Sequence, residues 1–455
     1  MSQLIISVSG LRGIVGQTLT PEVAMRYTAA FAASLPPGPI VVGRDGRTTG
    51  GMLADAIRAA LVAVGRTCID AGIASTPTVG VLVRHVGAIG GIQISASHNP
   101  PEYNGIKLFN ADGRVIPADE GAAVIERYRA GAPAWVGYQR IGHVSEAIDP
   151  AEAHWQLIRD TIDVEAIRRC RFKVLLDSNH GAGSILGARL LDELDCRTTL
   201  IGAQPDGLFE HRPEPTAENL AGVLRAIVEA GAQIGFCQDP DADRLAIVDE
   251  QGTYLGEEKT LALCVDHVLR QQSAAGRSPA AIVTNCSTSR MSEDLAMKYG
   301  APFFRSAVGE ANVTAVMQEH EALLGGEGNG GVIDPRVGLV RDSLVGMALV
   351  LEAMATRSLP VSKLAAELPK YEIVKAQAKL EPAHLSAALA ALEQHFGDAT
   401  ADRMDGLRLD WPGKWLLVRS SNTEPIVRAI AEAATSAEAR RLCDEALTVM
   451  ATAAA

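Results

Sequence analysis

Residues 39–70 read PIVVGRDGRTTGGMLADAIRAALVAVGRTCID, and this segment indicates how the chain is built. A Val- and Ile-rich run at 39–43 precedes a segment of helical period at 52–64, and a second apolar run follows at 67–70. Short apolar runs separated by helical segments are typical of layered α/β domains. We therefore expect buried strands that alternate with helices.

The same alternation recurs twice further along the chain. A second round occupies 172–201, and a third occupies 257–305, with a helix predicted over 287–299 and a surface loop over 271–279. From Tyr371 the strands and helices interleave differently, as in a smaller α+β domain. We thus predict an α/β protein with three similar mixed domains and a C-terminal α+β domain. The predicted domains are residues 1–142, 150–254, 255–368 and 369–455.

The charge balance limits the partners that the chain can bind. Its 42 Lys and Arg and 54 Asp and Glu give a net charge of −12, which disfavours nonspecific binding to nucleic acid or anionic membranes. An anionic small substrate therefore needs a local basic pocket. The N-terminus has no charged segment before a sustained apolar stretch, and the seven cysteines form no CxxC pair. We expect a soluble cytoplasmic protein that binds neither nucleic acid nor membranes.

The first polar segment with chemical potential is SASHNPPEYNGIK at 95–107, directly after an apolar run. Ser97 beside His98 invites comparison with hydrolases, but adjacent residues rarely face each other and no G-x-S-x-G elbow surrounds the serine. Taken alone, the segment also fits a Ser/Asn/Pro turn after a strand. Lys107 adds a cation that can return to the loop.

The second segment is DPDADR at 239–244, between two apolar runs. Its three alternate carboxylates repel one another, so clustering them is costly unless a cation compensates. Oxygen ligands of this kind suit Mg²⁺ or Ca²⁺. An EF-hand is disfavoured because Arg244 stands at the position that requires glycine. A solvated acidic turn remains the alternative.

Two further loops carry groups that suit a sugar and a phosphate. GGEGNGG at 325–331 lets backbone approach a ligand, and its Glu and Asn can bind vicinal hydroxyls, although a flexible hairpin explains the glycines equally well. RSSNTEP at 419–425, with Arg428 beyond it, combines Arg, hydroxyls and loop N–H groups as a phosphate cradle does, or forms an ordinary polar turn. No P-loop or dinucleotide fingerprint is present in the sequence.

In this order, the four segments resemble the motifs of the α-D-phosphohexomutase superfamily, and the resemblance spans nearly the whole chain. It implies three α/β domains and a C-terminal domain of the TATA-box-binding-protein-like type around one central cleft. Weaker matches agree with the same family: GLRG at 10–13, GRDGR at 43–47 and PEPT at 213–216.

The resemblance also implies a role for each candidate residue. Ser97 would carry the phosphoryl group, and its phosphate would complete a site for one Mg²⁺ formed by Asp239, Asp241 and Asp243. The remaining implied roles are stabilisation of phosphoryl oxygens or proton transfer by Lys107, Arg244 and Arg12, orientation of substrate oxygens by His98, contact with sugar hydroxyls by Glu327 and Asn329, and binding of the distal phosphate by Arg419, Ser421, Asn422, Thr423 and Arg428.

The implied reaction moves a phosphoryl group between O6 and O1 of a hexose through a 1,6-bisphosphate, with glucose or another hexose 1,6-bisphosphate as activator. The chain departs from common bacterial patterns in the sugar loop, where Asn329 replaces the usual serine and Gly331 the usual histidine. GEGNGGVI instead resembles the archaeal-type branch, which favours glucosamine 6-phosphate, with mannose and glucose phosphates as alternatives. A sugar-phosphate-binding protein without turnover and a phosphatase are further alternatives. We expect a monomer or homodimer.

Overall fold

The computed structural model describes residues 4–7, 10–131, 133–420 and 426–453. Four β-sheets follow one another along the chain, each packed against helices. The first three belong to mixed α/β units and the fourth to an α+β unit, which confirms the predicted class of fold.

The first sheet has seven strands in the order β1-β2-β6-β5-β3-β4-β7. Its strands β1 to β7 are Ile5–Ser7, Gly10–Ile14, Ile40–Arg44, Cys68–Ile73, Gly90–Ile94, Tyr103–Asn110 and Val144–Glu146. Its helices α1 to α4 are Pro21–Ser34, Gly50–Ala63, Thr76–His85 and Ala118–Ala130. Every residue of the central strand β5 is buried, as expected where helices cover both faces of a sheet.

The second and third sheets have four strands each, in the orders β11-β10-β8-β9 and β13-β12-β14-β15. In the second unit, β8 to β11 are Lys173–Asp177, Arg197–Ile201, Ile234–Gln238 and Leu245–Asp249, and α5 to α8 are Glu152–Arg159, Val164–Cys170, Gly183–Glu193 and Ala221–Ala230. In the third, β12 to β15 are Ile282–Asn285, Phe303–Ser306, Leu324–Glu327 and Gly331–Ile333, and α9 to α13 are Glu257–Ala274, Met291–Tyr299, Glu310–Glu319, Ser343–Arg357 and Val361–Ala366.

One four-stranded arrangement is common to all three units. In each, the first strand pairs in parallel with the second and the third, and the third continues through a hairpin into an antiparallel fourth strand. In the first sheet β3, β4, β5 and β6 occupy these places. The hairpin between the third and fourth strands therefore lies at the same place in every unit. These hairpins are the segments 95–102, 239–244 and 328–330.

The fourth sheet is antiparallel throughout, in the order β16-β20-β19-β18-β17. Its strands β16 to β20 are Glu372–Lys379, Thr400–Asp402, Leu407–Trp411, Lys414–Ser420 and Ile426–Ala433, and its helices α14 and α15 are Leu385–His395 and Ser436–Ala453. Ala429, Ala431 and Ala433 recur at alternate positions of β20 and are buried in one apolar cluster with Leu442 of α15. The alternation fixes which face of the sheet is covered.

The second and third units share one hydrophobic core. Helix α12 packs against α6 and α7 of the second unit and against α9 of the third. Twelve of its residues, 343–354, are buried, so the helix is enclosed on all sides. The first and fourth units have clusters of their own.

Three details differ from the sequence-based expectations. Strand β7 pairs with β4 at 144–146, beyond the predicted first boundary at residue 142. Helix α9 continues to Ala274 and takes in part of the loop predicted at 271–279. Helix α10 begins at Met291 rather than at 287, because the Asn285 side chain accepts hydrogen bonds from the main-chain N–H of Ser287 and from two hydroxyls and so forms a turn. In the part of the chain that the structure describes, no helix is long and apolar enough to cross a membrane.

Candidate active site

The hairpins of the first two units meet at Ser97. This serine follows β5 in the first unit, and its Oγ donates a hydrogen bond to Asp239 Oδ2 in the second, at 2.6 Å. Both residues are buried, Ser97 at 2% exposure. The topology therefore brings together two of the segments singled out in the sequence, although 142 positions separate them.

The serine loop has an unusual backbone that several polar groups hold in place. Ser97 has φ of 51°, in the left-handed region that a non-glycine residue adopts only when its surroundings enforce it. Its N–H donates to Ser95 Oγ at 2.8 Å, and Ser95 Oγ donates to Asp45 Oδ2 at 2.6 Å. Residues after β3 thus support the loop after β5.

Arg47 is the main support of this loop. Its guanidinium donates to Asp45 Oδ2 at 3.2 Å, and its side chain is 1% exposed. It also donates to three carbonyl oxygens of the loop, those of Ser97 and Asn99, each at 2.6 Å, and Pro100 at 2.7 Å, and to that of Tyr103 at the start of β6, at 3.0 Å. The sequence placed Arg47 in the GRDGR segment that resembles a family turn, but it did not indicate that this side chain supports the serine loop.

The acidic loop presents three carboxylates to one point. Asp239, Asp241 and Asp243 are each fully buried, and one oxygen of each lies within 4.8 Å of the others. Among the described residues, Asp241 Oδ1 and Asp243 Oδ1 have no hydrogen-bond partner although both are buried. Buried carboxylate oxygens without donors are costly. Three carboxylates close together, two of which have a buried oxygen without a donor, fit a divalent cation such as Mg²⁺.

The other oxygens of Asp241 and Asp243, their Oδ2 atoms, accept hydrogen bonds from protein side chains. Thr76 Oγ1, at the start of α3, donates to Asp241 Oδ2 at 2.5 Å. Lys107 Nζ donates to Asp243 Oδ2 at 2.8 Å and lies 3.4 Å from Asp241 Oδ2. Arg341 donates to Asp243 Oδ2 at 2.6 Å. These contacts occupy the Oδ2 atoms, while the Oδ1 atoms of Asp241 and Asp243 have no donor among the described residues.

These charges shift the pKa values of the cluster in opposite directions. Burial, together with the charges of Asp241 and Asp243, raises the pKa of Asp239 well above its ordinary value. Burial also opposes ionisation of Asp243, but Arg341 and Lys107 hold the pKa of that carboxyl well below its usual range. Although burial disfavours its charge, Lys107 has a raised pKa because of Asp243 and Asp241. Asp243 and Lys107 therefore remain a charged pair.

Arg12 and Arg244 form the basic side of the site, and His98 lies close enough to be affected by both charges. Burial, together with the positive charges of Arg244 and Arg12, lowers the pKa of His98 to about 2, so its imidazole is neutral at physiological pH. His98 Nδ1 lies 3.4 Å from Ser97 Oγ. The main-chain N–H of Arg244 donates to Asp239 Oδ1 at 3.1 Å. Burial lowers the pKa of Arg12, although Asp241 partly opposes the shift.

Glu327 ends β14, directly before the third hairpin, and is held by groups from outside that hairpin. Glu327 is 5% exposed, and its Oε1 accepts from Asn285 Nδ2 at 2.7 Å and from the N–H of Gly309 at 3.1 Å, while its Oε2 accepts from Arg341 at 2.9 Å. Asn329 Oδ1 accepts from the N–H of Gly331 at 3.2 Å and so caps its own hairpin. Glu327 is thereby joined through one arginine to the acidic loop.

The fourth unit reaches this region through Arg419, while Arg428 is exposed opposite it in the β19/β20 pairing. Arg419 Nε donates to Asp405 Oδ1 at 3.1 Å, and Asp405 Oδ2 accepts from the N–H of Val308 at 2.9 Å. The predicted phosphate-binding residues Ser421, Asn422 and Thr423 lie outside the described residues.

Sequence reasoning missed three residues of the site: Arg47, Thr76 and Arg341. Thr76 and Arg341 come from segments without a chemical motif and reach the site only through the fold. A signal existed only for Arg47, in the G-x-D-x-R turn. The arrangement joins a buried serine hydroxyl, a carboxylate triad suited to a cation, and several fixed positive charges. Such a set can transfer a phosphoryl group and stabilise its charge.

Comparison with protein families gives four matches that together span most of the chain. They are the phosphoglucomutase/phosphomannomutase alpha/beta/alpha domain I at residues 4–134, domain II at 152–252, domain III at 257–371, and the C-terminal domain at 374–449.

Relatives that match along nearly their whole length, and a solved structure, agree with these family matches. A phosphoglucomutase/phosphomannomutase of Thermococcus kodakarensis is 37% identical over 96% of this chain and 98% of its own length. A probable phosphoglucosamine mutase of Methanopyrus kandleri is 33% identical over 96% of this chain and 95% of its own. The structure of a phosphoglucomutase/phosphomannomutase family protein from Burkholderia thailandensis superposes with a TM-score of 0.85 at 27% identity, covering 99% of this chain and 98% of that one.

Proposed function

The chain belongs to the phosphoglucomutase/phosphomannomutase family, and on that premise we propose that it interconverts hexose 6-phosphates and hexose 1-phosphates through a phosphoserine at Ser97. The observation that carries the proposal is the contact between Ser97 Oγ and Asp239 Oδ2, at 2.6 Å, beside two further buried carboxylates. The serine proposed for group transfer therefore lies in direct contact with the proposed cation site.

The reaction consists of two phosphoryl transfers, and the second regenerates the phosphoserine that the first consumes. Phospho-Ser97 gives its phosphoryl group to the free hydroxyl of the sugar phosphate, which yields a 1,6-bisphosphate and the serine hydroxyl. The bisphosphate then reverses its orientation in the cleft and returns its other phosphoryl group to Ser97 Oγ. A hexose 1,6-bisphosphate added from solution phosphorylates the resting enzyme by the same second half.

Asp239, Asp241 and Asp243 would hold one Mg²⁺, since they supply three oxygen ligands of the kind that this ion prefers. When bound, the ion neutralises charge on the transferring phosphoryl group. Lys107 and Arg244 stabilise the phosphoryl oxygens with their positive charges. His98 stays neutral and orients substrate oxygens, while Arg12 adds to the local positive potential.

The sugar is bound at the third hairpin and the distal phosphate at the fourth unit. Glu327 meets the sugar with a carboxylate, and Asn329 lines the same hairpin. Arg419 and Arg428, with Ser421, Asn422 and Thr423, would hold the phosphate that does not react, in either orientation of the substrate.

We favour glucosamine 6-phosphate as the preferred substrate. A carboxylate at Glu327 can pair with a 2-ammonium group, and several archaeal relatives are described as probable phosphoglucosamine mutases. The second candidate is a phosphomannomutase/phosphoglucomutase. It is favoured by the 37% identity to the Thermococcus kodakarensis enzyme of that name, and a carboxylate also accepts a hydrogen bond from a 2-hydroxyl.

Intact-mass measurement tests the proposal directly. The wild-type protein should gain one phosphoryl group on incubation with glucose 1,6-bisphosphate and Mg²⁺, whereas Ser97→Ala should gain none. Phosphorus NMR with glucosamine, mannose and glucose 6-phosphates should show the 1-phosphate forming with the wild type only. An unphosphorylated wild type, or a Ser97→Ala variant with undiminished turnover, would overturn the proposal. Inorganic phosphate released faster than the 1-phosphate forms would indicate a phosphatase.

A further inference from the structure

Gly331, the first residue of β15 after the third hairpin, has no side chain in a space that Arg341 occupies. A Cβ added to Gly331 would lie 2.3 Å from Arg341 Cδ and 2.8 Å from Arg341 Cγ. Contacts this short do not occur between real side chains, so any larger residue at position 331 displaces the arginine. The aliphatic part of Arg341 thus fills the volume that a side chain at 331 would occupy.

The guanidinium of Arg341 joins three acidic groups that come from different elements. It donates to Asp243 Oδ2 at 2.6 Å and to Glu327 Oε2 at 2.9 Å, and its Nε lies 3.3 Å from Glu310 Oε2. The main-chain N–H of Arg341 also donates to Glu310 Oε1 at 2.8 Å. The side chain is 9% exposed, so these charge-assisted contacts lie in a region of low dielectric.

The backbone that carries Arg341 is fixed to both loops. The N–H of Asp342 donates to the carbonyl of Val332 in the hairpin at 2.7 Å, and Ser343 Oγ donates to the carbonyl of Ala242 in the acidic loop at 2.7 Å. Asp342 also caps α12 by accepting from the N–H groups of Leu344 and Val345. The arginine therefore starts from a rigid position.

These contacts leave Glu327 a single arrangement. One of its oxygens is held by Asn285 and Gly309 and the other by Arg341, so the carboxylate cannot rotate without losing a buried hydrogen bond. We propose that Arg341 is a positioning residue that fixes the Glu327 carboxylate relative to the acidic loop and thereby sets how tightly the sugar is bound. This inference rests on the proposed function of Glu327 as the sugar-binding residue.

Arginine suits this task because it stays charged and presents its donors in a planar fork. A lysine keeps the charge but is a point donor that cannot bridge two carboxylates in the same geometry. A glutamine loses the charge and also reaches less far than an arginine. The alanine variant of Gly331 keeps the charge and moves the arginine. The three changes therefore separate the effect of charge from the effect of position.

The experiment measures binding without turnover first. Calorimetric titration of dephosphorylated protein with glucosamine 6-phosphate should show a dissociation constant raised about tenfold to a hundredfold in Arg341→Gln, the equivalent of one charge-assisted hydrogen bond. Gly331→Ala should weaken binding in the same direction, and Arg341→Lys should recover only part of the loss. Arg357→Gln, a change at the far end of α12 in an outlying ion pair with Glu367, should bind as the wild type does.

Steady-state kinetics of phosphorylated protein completes the test. A loss of positioning raises KM more than it lowers kcat, whereas partial unfolding lowers the active fraction and hence kcat with KM unchanged. Wild-type dissociation constants in both Arg341→Gln and Gly331→Ala, or a loss confined to kcat, would overturn the inference. A wild type that binds glucosamine 6-phosphate but isomerises none of the glucosamine, mannose and glucose 6-phosphates would overturn the proposed function instead. If Arg341→Gln does not fold, Gly331→Ala and Arg341→Lys decide.

Discussion

Replacement of Arg47 by lysine should loosen the serine loop without removing the positive charge beneath it. The Arg47 guanidinium makes five hydrogen bonds, four of them to carbonyl oxygens between Ser97 and Tyr103. A lysine ammonium has only three donors, so at least two of the five bonds are lost. At about 1.5–3 kcal/mol for each hydrogen bond to a charged group, the loop loses at least about 3 kcal/mol of local stability.

That loss can be measured by native-state hydrogen exchange. The N–H groups of Ser97 and Asn99 are hydrogen-bonded within the loop, to Ser95 Oγ and to the carbonyl of Ala96. Since about 1.4 kcal/mol corresponds to a tenfold change in an opening equilibrium, peptides covering 95–103 should exchange about a hundredfold faster in Arg47→Lys. Phosphorylation of Ser97 by glucose 1,6-bisphosphate should slow in parallel, because the serine samples other positions.

Arg26→Lys is the matched control, since Arg26 forms one exposed ion pair with Glu22 at 3.9 Å and contacts no part of the loop. It should leave both the exchange of 95–103 and the phosphorylation rate unchanged. Exchange in Arg47→Lys within threefold of the wild type would refute the reasoning that Arg47 holds the loop.

Three further changes test other parts of the structure. Thr76→Val removes the hydroxyl that orients Asp241 and should weaken Mg²⁺ binding, measured by calorimetry, by about tenfold to a hundredfold; unchanged affinity would contradict the orienting role. Burial raises the pKa of Glu258 to about 8. The stability that its neutral form provides is therefore present below pH 4.5 and is lost as the pH rises through 8. The melting temperature of Glu258→Gln should match that of the wild type below pH 4.5 and exceed it above pH 8. Trp415→Phe leaves the buried Glu432 without the indole donor at 2.8 Å, and should cost the fourth unit about 1–3 kcal/mol, seen as faster hydrogen exchange in β19 and β20; exchange equal to the wild type would argue against that bond.

The segments that form the candidate site could be singled out from the sequence because each is contiguous. Ser97 and the triad at 239–243 each follow a buried strand; the three carboxylates indicated a cation site, with a solvated acidic turn as the alternative, whereas a phosphoryl-carrying role for Ser97 was implied only by the resemblance to the phosphohexomutase motifs. The repeated alternation of strands and helices likewise predicted three similar units. Local order in the chain is enough for such features, because strand, turn and motif are contiguous.

Features that depend on packing between distant segments were not predictable. Thr76 begins α3 and Arg341 precedes the N-cap of α12, and nothing in their sequence neighbours shows that they hold Asp241 and Asp243. The sequence did not reveal that α12 completes the cores of two units, because its apolar residues look the same whether one or two sheets cover them. The pairing of 144–146 with β4 depends on a strand more than 70 positions earlier in the chain.

The shared core of the second and third units has a consequence for how such proteins can be recombined. Residues 343–354 are enclosed by helices from both units, so a chimera with its second unit from one relative and its third from another must repack an entire buried helix. The fourth unit meets the third through a small cluster around Cys286 and Trp415 and through a few polar bridges. For anyone who grafts substrate preferences between relatives, the transferable parts are therefore the fourth unit alone and the central pair together.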